Sequence, residues 1–256
     1  MDFFEPKVKH FGLKLIGMFA VTAVLAVVYI YFIDYLNLGF TVMPLVVEIL
    51  LGLTMILLSR VWLKVSLFSR PEHWQVGTIA MLVMLVVCFI DIGPLPHFSP
   101  RRLELALLWG AAAGIFEEVL CRGPFLFFVF KHTPRQLSPY WWTAIVTSLV
   151  FGVMHLSNAS AKQDLVQTLI QVGYAAAFGF GAVALFLFTR NLGFSMFLHF
   201  ASDAVGYYFA GTITSYTDTS DWVTWVILLI MVSVHIGLGI YLLSRVSRTQ
   251  KEPAVE

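Results

Sequence analysis

Residues 107–130 read LLWGAAAGIFEEVLCRGPFLFFVF, an apolar stretch that holds Glu117, Glu118 and Arg122 in its middle. A helix that crosses a bilayer needs about 20 mostly apolar residues, because lipid offers backbone N–H and C=O groups no partners of its own. An ionised side chain at the bilayer centre costs roughly 2.5–3.5 kcal/mol on insertion scales, so such residues face the protein interior and mark a functional site. The segment therefore predicts a membrane helix and a polar site inside it.

The chain around this segment is built the same way. Apolar runs over 12–33, 103–130, 141–156, 165–188, 193–210 and 222–243 each read as a membrane helix, and weaker runs over 42–58 and 76–90 bring the count to about eight. Of the 256 residues, 59% are hydrophobic and 12% charged, against about a quarter charged in soluble domains. The expected fold class is all-α, an integral membrane bundle of about eight transmembrane helices in one domain over 1–256, with its motif-bearing core at about 103–210. No polar linker or internal repeat divides it. The first run lacks a small-residue cleavage signature and reads as a helix rather than a leader.

Basic residues are retained on the cytoplasmic side of short loops. With eight helices and both termini cytoplasmic, Arg101, Arg102 and Lys162 fall outside and Arg122 lies within a helix, which leaves the other twelve of the 16 Lys and Arg inside. The net charge of +1 supplies no basic field for nucleic acid. Cys88 and Cys121 sit in apolar runs, too few for a disulfide framework or a Cys-rich zinc site. Trp141, Trp142 and Trp222 begin helices, where their rings suit the interface. The stretch 59–70 alternates basic and apolar residues and reads either as a segment lying on the inner surface or as a simple loop. Lys14, Glu48, Asp91 and His235 are read as structural, Lys14 by snorkelling and the others near helix ends or alone.

Within the charged helix, Glu118 and Arg122 stand four apart and can pair, while Glu117 points about 100° away and stays free to act. The bland alternative is an ion pair that only fixes packing. The next helix ends in FGVMH, with Phe151 and His155 on one face, and a later one carries HFASD, which aims His199 and Asp203 at one point. Rise per residue sets Glu117 and His155 roughly 20 Å from the inner boundary and His199 to Asp203 roughly 9–15 Å from it, all within the membrane. A glutamate in such a cavity can deprotonate water while His and Asp orient it or stabilise an oxyanion. The same four side chains, Glu117, His155, His199 and Asp203, equally offer ligands to a divalent metal such as zinc. The sequence permits both, and no other cofactor is implied.

Glu-Glu-x-x-x-Arg, Phe-x-x-x-His and His-x-x-x-Asp, in that order on separate apolar helices, resemble the motifs of the CAAX protease and bacteriocin-processing family, which includes the Ras-converting CAAX prenyl endopeptidases. The resemblance covers roughly 109–203. It implies an intramembrane endopeptidase in which Glu117 activates water and His155 assists, His199 with Asp203 stabilises the oxyanion, and Glu118 and Arg122 support the site. The eukaryotic prenyl proteases carry an Asn where this chain has Asp203. An ionised Asp donates no hydrogen bond, so Asp203 is expected to be protonated, to orient His199 or to bind metal.

The implied partners are the lipid bilayer and a peptide or lipidated protein tail that reaches the site from the cytoplasmic loops near Lys131 and Arg190. A bacterial plasma membrane is the expected location, on size and simplicity. Two other classes compete with the protease. A nonproteolytic membrane scaffold or bacteriocin-immunity protein would keep the motifs for packing alone. A proton-coupled transporter would relay protons through Glu117, His155 and Asp203, but needs paired, broken helices that the sequence does not repeat.

Overall fold

The computed structural model describes residues 3–36, 42–90, 96–160, 163–210 and 222–249; Asp91, Lys162 and Lys251 lie outside them. Among the described residues the chain is all-helical, with no named strand and one isolated bridge between Phe68 and Asn191. The elements are α1 (Phe11–Tyr35), α2 (Val42–Val61), α3 (Trp74–Val87), α4 (Pro100–Ala112), a π-helical turn (Ala113–Glu117), α5 (Glu118–Arg122), α6 (Pro124–Lys131), α7 (Pro139–Met154), α8 (Ser157–Ser160), α9 (Leu165–Thr189), α10 (Gly193–Ala210) and α11 (Trp222–Thr249). Five helices are long and apolar enough to cross a membrane, spanning Phe11–Phe32, Val42–Val61, Pro139–Ala159, Leu165–Thr189 and Trp222–Val246. The other expected crossings are short, as in α3, broken, as in α4 to α6, or carry His199 and Asp203, as in α10.

The expected single helix over 103–130 is divided twice. A π-helical turn precedes Glu118, and the helix stops at Gly123 before Pro124 opens α6. Proline lacks the N–H that would continue the ladder and disfavours a helical residue before it, so the second break is written in the Gly-Pro step. A side chain at Gly123 would run into the Val119 carbonyl, which accepts the Gly123 N–H at 3.0 Å.

The bundle is organised around α9. Residues 182–187 of α9 are at most 1% exposed, as befits a helix that is apolar on every side. Asp164 caps its start by accepting from the N–H groups of Val166 and Gln167. Small residues let the neighbours close in: a Cβ on Gly152 of α7 would sit 2.7 Å from the Val172 carbonyl of α9. The same device joins α4 to α10. A Cβ on Gly114 would approach the Met196 carbonyl at 2.8 Å, and one on Gly110 would meet Ala204 at 2.8 Å. This pair of glycines four residues apart is the spacing that brings membrane helices into close contact.

The stretch 59–70 is not a surface helix. After α2 ends, Leu63, Val65 and Leu67 are buried and alternate with exposed Lys64, Ser66 and Phe68, a two-residue period. The segment docks on the turn between α9 and α10, where the Leu192 N–H donates to the Leu67 carbonyl at 2.9 Å and Arg190 pairs with Glu72 at 2.7 Å.

These connections define two ends. Lys131, the starts of α7 and α10, and Arg190 gather at one; the starts of α4 and α9 and the finishes of α7 and α10 gather at the other, where Arg102 donates to the Phe209 carbonyl at 2.8 Å.

Candidate active site

The π-helical turn and α5 bring Glu117 and Glu118 against α10. Glu118, fully buried, accepts through Oε1 from Arg122 one turn on and from His199 Nδ1 at 2.9 Å. The carboxylate thus neutralises a guanidinium that is only 1% exposed and fixes an imidazole from another helix. A buried charge without a partner would be prohibitive, and the pair resolves that cost. The pairing of Glu118 with Arg122 follows the sequence expectation. Its second role, holding His199, does not show in the spacing.

With Nδ1 committed to Glu118, the other nitrogen of His199 faces the remaining carboxylates. Nε2 lies 4.0 Å from Glu117 Oε2 and 3.8 Å from Asp203 Oδ2. Both separations are longer than a direct hydrogen bond. His155 caps α7, and its Nδ1 donates to the Phe151 carbonyl at 2.9 Å, so in the neutral ring Nε2 carries the lone pair. It interacts electrostatically with His199 and Asp203, but no ion pair joins it to Glu117 among the described residues.

Phe151 ties these groups together. Its ring lies 4.3 Å from the Arg122 guanidinium carbon and meets the rings of His155 and His199 edge-on at 5.0 and 5.6 Å. A cation over an aromatic face is stabilised by the ring quadrupole, most of all where water is excluded. Gly179 of α9 makes room for the stack, since a Cβ there would be 3.0 Å from Arg122 and 3.1 Å from Phe151.

Three further neighbours border the site, of which Glu48 and His235 are among the residues read above as structural. Phe178 packs against His199 at 5.2 Å on one side and against the buried ring of His235 at 5.2 Å on the other. His235 also approaches the Cys88 thiol at 3.9 Å, so this residue is one aromatic ring removed from the site. Glu48 on α2 interacts electrostatically with Glu117; one turn on, Gly52 lets α2 press on Ile115 and Phe116 of the π-helical turn. Both Phe178 and Glu48 come from outside the three motifs; Glu48 stands out as a carboxylate in an apolar run, whereas no local pattern marks Phe178.

Exposure grades across the site, from nothing at Glu118 through 7% of the His199 side chain to 31% at Glu117 and 42% at Asp203. Asp203 faces the end where α7 and α10 finish. Ser195 and Leu198, between Gly193 and His199 on α10, are both fully buried.

Among the described residues no three His, Cys, Asp or Glu side chains converge closely enough to hold a metal ion. Zinc sites need nitrogen and oxygen ligands near 2.0–2.2 Å from one point, usually four of them. The donors present do not form such a set.

No curated protein and no solved structure matches the chain. A family model does, described as type II CAAX prenyl endopeptidase, Rce1-like, and it covers residues 100–205. That stretch runs from the start of α4 to just beyond Asp203 and contains all three motifs. The match and the apolar helices indicate an integral membrane protein. The segment that builds the site is thus similar to the Rce1-like type II CAAX prenyl endopeptidases, a protease family.

Proposed function

We propose that the protein is an intramembrane endopeptidase that hydrolyses a peptide bond near the C-terminus of a membrane-associated substrate through water activated by Glu117. The observation that carries this reading is the convergence of Glu117 and Asp203 on Nε2 of His199, whose Nδ1 is held by Glu118. In this reading Glu117 takes a proton from the water as its oxygen attacks the substrate carbonyl carbon. With Nδ1 donating to Glu118, only the imidazolium form of His199 also donates from Nε2 to the developing oxyanion. Collapse breaks the C–N bond, and the proton held by Glu117 passes to the leaving amine. His155 assists in placing the water, and Asp203 orients His199.

The substrate class is a peptide tail, prenylated at a cysteine in the manner of the family's name. We read the chain as one membrane domain of eight crossings in a bacterial plasma membrane, with both termini cytoplasmic on the distribution of Lys and Arg. Incubation of purified protein with membrane-embedded peptide libraries tests the reading: wild type cuts, whereas Glu117→Ala and His155→Ala fold and do not. A scaffold or immunity protein would leave the peptides intact and its cellular effect unaltered by Glu117→Ala.

A further inference from the structure

Away from Glu117 and His199, three soft donors come together where α3, α9 and α11 meet. The Cys88 sulfur, at the end of α3, lies 3.9 Å from Nε2 of His235 in α11. Met84 stands one turn before Cys88 on the same face of α3. Its Sδ and Cδ2 of His235 would lie 3.1 and 3.2 Å from a Cβ built on Gly181 of α9, so thioether and imidazole flank the space which that glycine leaves open. Met84 and His235 are fully buried. Cys88 is partly exposed and gives the cluster a way in.

An ionisable residue inside a membrane helix marks a functional site whose partners can be named. His235 is oriented as metal-ligating histidines are, by a hydrogen bond from its other nitrogen. Nδ1 donates to the Met231 carbonyl at 2.8 Å, which leaves the lone pair of the neutral ring on Nε2, the nitrogen that faces sulfur. A thiol–imidazole hydrogen bond alone accounts poorly for this, because Cys88 has one hydrogen to give and directs it to the Met84 carbonyl at 3.3 Å. The Ser202 side chain of α10 hydrogen-bonds the same sulfur.

The separation of the donors suits a cation between them. With bonds of about 2.3 Å to sulfur and 2.0–2.1 Å to nitrogen, a trigonal angle sets the two donors about 3.7–3.8 Å apart and a tetrahedral angle about 3.5–3.6 Å. The observed 3.9 Å lies nearer the trigonal value. Thiolate and thioether ligands select copper(I). Charge points the same way: one thiolate with a monovalent ion is neutral, whereas a divalent ion on these three donors would leave a net positive charge in an apolar interior.

We infer that Met84, Cys88 and His235 form a binding site for a soft monovalent cation, copper(I), with Cys88 as a thiolate. Binding forms the copper–sulfur bond as the thiol proton leaves to solvent past the exposed edge of Cys88, and copper stays in the same oxidation state. The Phe178 ring lies between His235 and His199, 5.2 Å from each, so the site is separate from the carboxylates proposed to activate water. The inference is independent of the proteolytic reading, and its consequence is structural. An ion that joins α3 to α11 stabilises the folded bundle by mass action.

The test titrates full-length protein in detergent micelles with copper(I), without oxygen and against a chromophoric copper(I) chelator. Wild type is expected to bind one equivalent, to show two sulfurs and one nitrogen around copper by X-ray absorption, and to unfold at a higher temperature when loaded. Each variant is first checked for folding by thermal unfolding. Cys88→Ala should lose affinity beyond the roughly 10- to 100-fold that an outer-shell partner is worth, and Met84→Leu, which keeps the volume, should lose it within that range. Should Cys88→Ala fail to fold, Met84→Leu decides alone. Cys121→Ala removes the other thiol, which lies 3.4 Å from the Met154 sulfur, and should bind as wild type does. No binding by wild type, undiminished binding by Cys88→Ala or Met84→Leu, or loss in Cys121→Ala alone overturns the inference. So does tighter binding of zinc than of copper(I) at the same residues.

Discussion

His199 Nδ1 and Glu118 Oε1, 81 residues apart in the chain, are joined by a 2.9 Å hydrogen bond, and the same oxygen receives Arg122. One carboxylate therefore neutralises a buried charge and sets the direction of the His199 imidazole. Removing either partner disturbs both functions at once.

Arg122→Met should accordingly leave Glu118 charged, buried and uncompensated, at a cost of about 3–5 kcal/mol. The double variant Glu118→Gln/Arg122→Met should lose less stability than the two single variants added together, because the partners touch. Thermal or denaturant unfolding in detergent micelles measures both, and strictly additive losses would contradict the buried pair.

Glu117 makes no comparable structural contact and is 31% exposed. Glu117→Gln is expected to unfold at the wild-type temperature yet lose roughly a hundredfold to ten-thousandfold in cleavage rate, the range general bases supply. A variant that still cuts at the wild-type rate would remove Glu117 from the reaction.

The seam between α4 and α10 offers a test that replaces no titrating group. Gly114→Leu forces a side chain against the Met196 carbonyl and Phe200, where even a Cβ would come within 2.8 Å and 2.9 Å. Overpacking of this kind costs about 1–3 kcal/mol. Because the displaced helix carries His199 and Asp203, activity should fall more steeply than stability. Parallel measurement of unfolding and peptide cleavage separates the two.

The donor set does not converge as a metal centre. Exhaustive chelation followed by elemental analysis should leave cleavage within about twofold of the untreated rate, whereas an enzyme that uses a metal-bound water loses its nucleophile when stripped. Activity lost on chelation and restored by zinc would overturn the water-only mechanism.

Membrane topology can be read by labelling. Cysteines introduced at Arg101 and at Lys131 should react with an impermeant reagent from opposite faces of sealed vesicles, since these residues stand at opposite ends of the bundle. Labelling of both from one face would contradict the arrangement of α4 to α7.

Several features follow from the sequence alone. Long apolar runs exclude water-exposed backbone and require helices, and charges placed inside them require an interior site. The i and i+4 spacing of Glu118 with Arg122, and of His199 with Asp203, assigns shared faces without knowledge of the fold. Tertiary structure decided the rest, because it depends on which distant helices touch. Only packing shows that His199 leans on Glu118, that Phe178 and Glu48 border the site, and that Arg102 and Tyr207 line one cavity. The π-helical turn before Glu118 belongs with these, since one turn of altered hydrogen bonding leaves no residue pattern behind. Periodicity along a chain fixes the direction of a side chain from its own axis; the distance between two axes is set by the small residues between them, here Gly110 and Gly114.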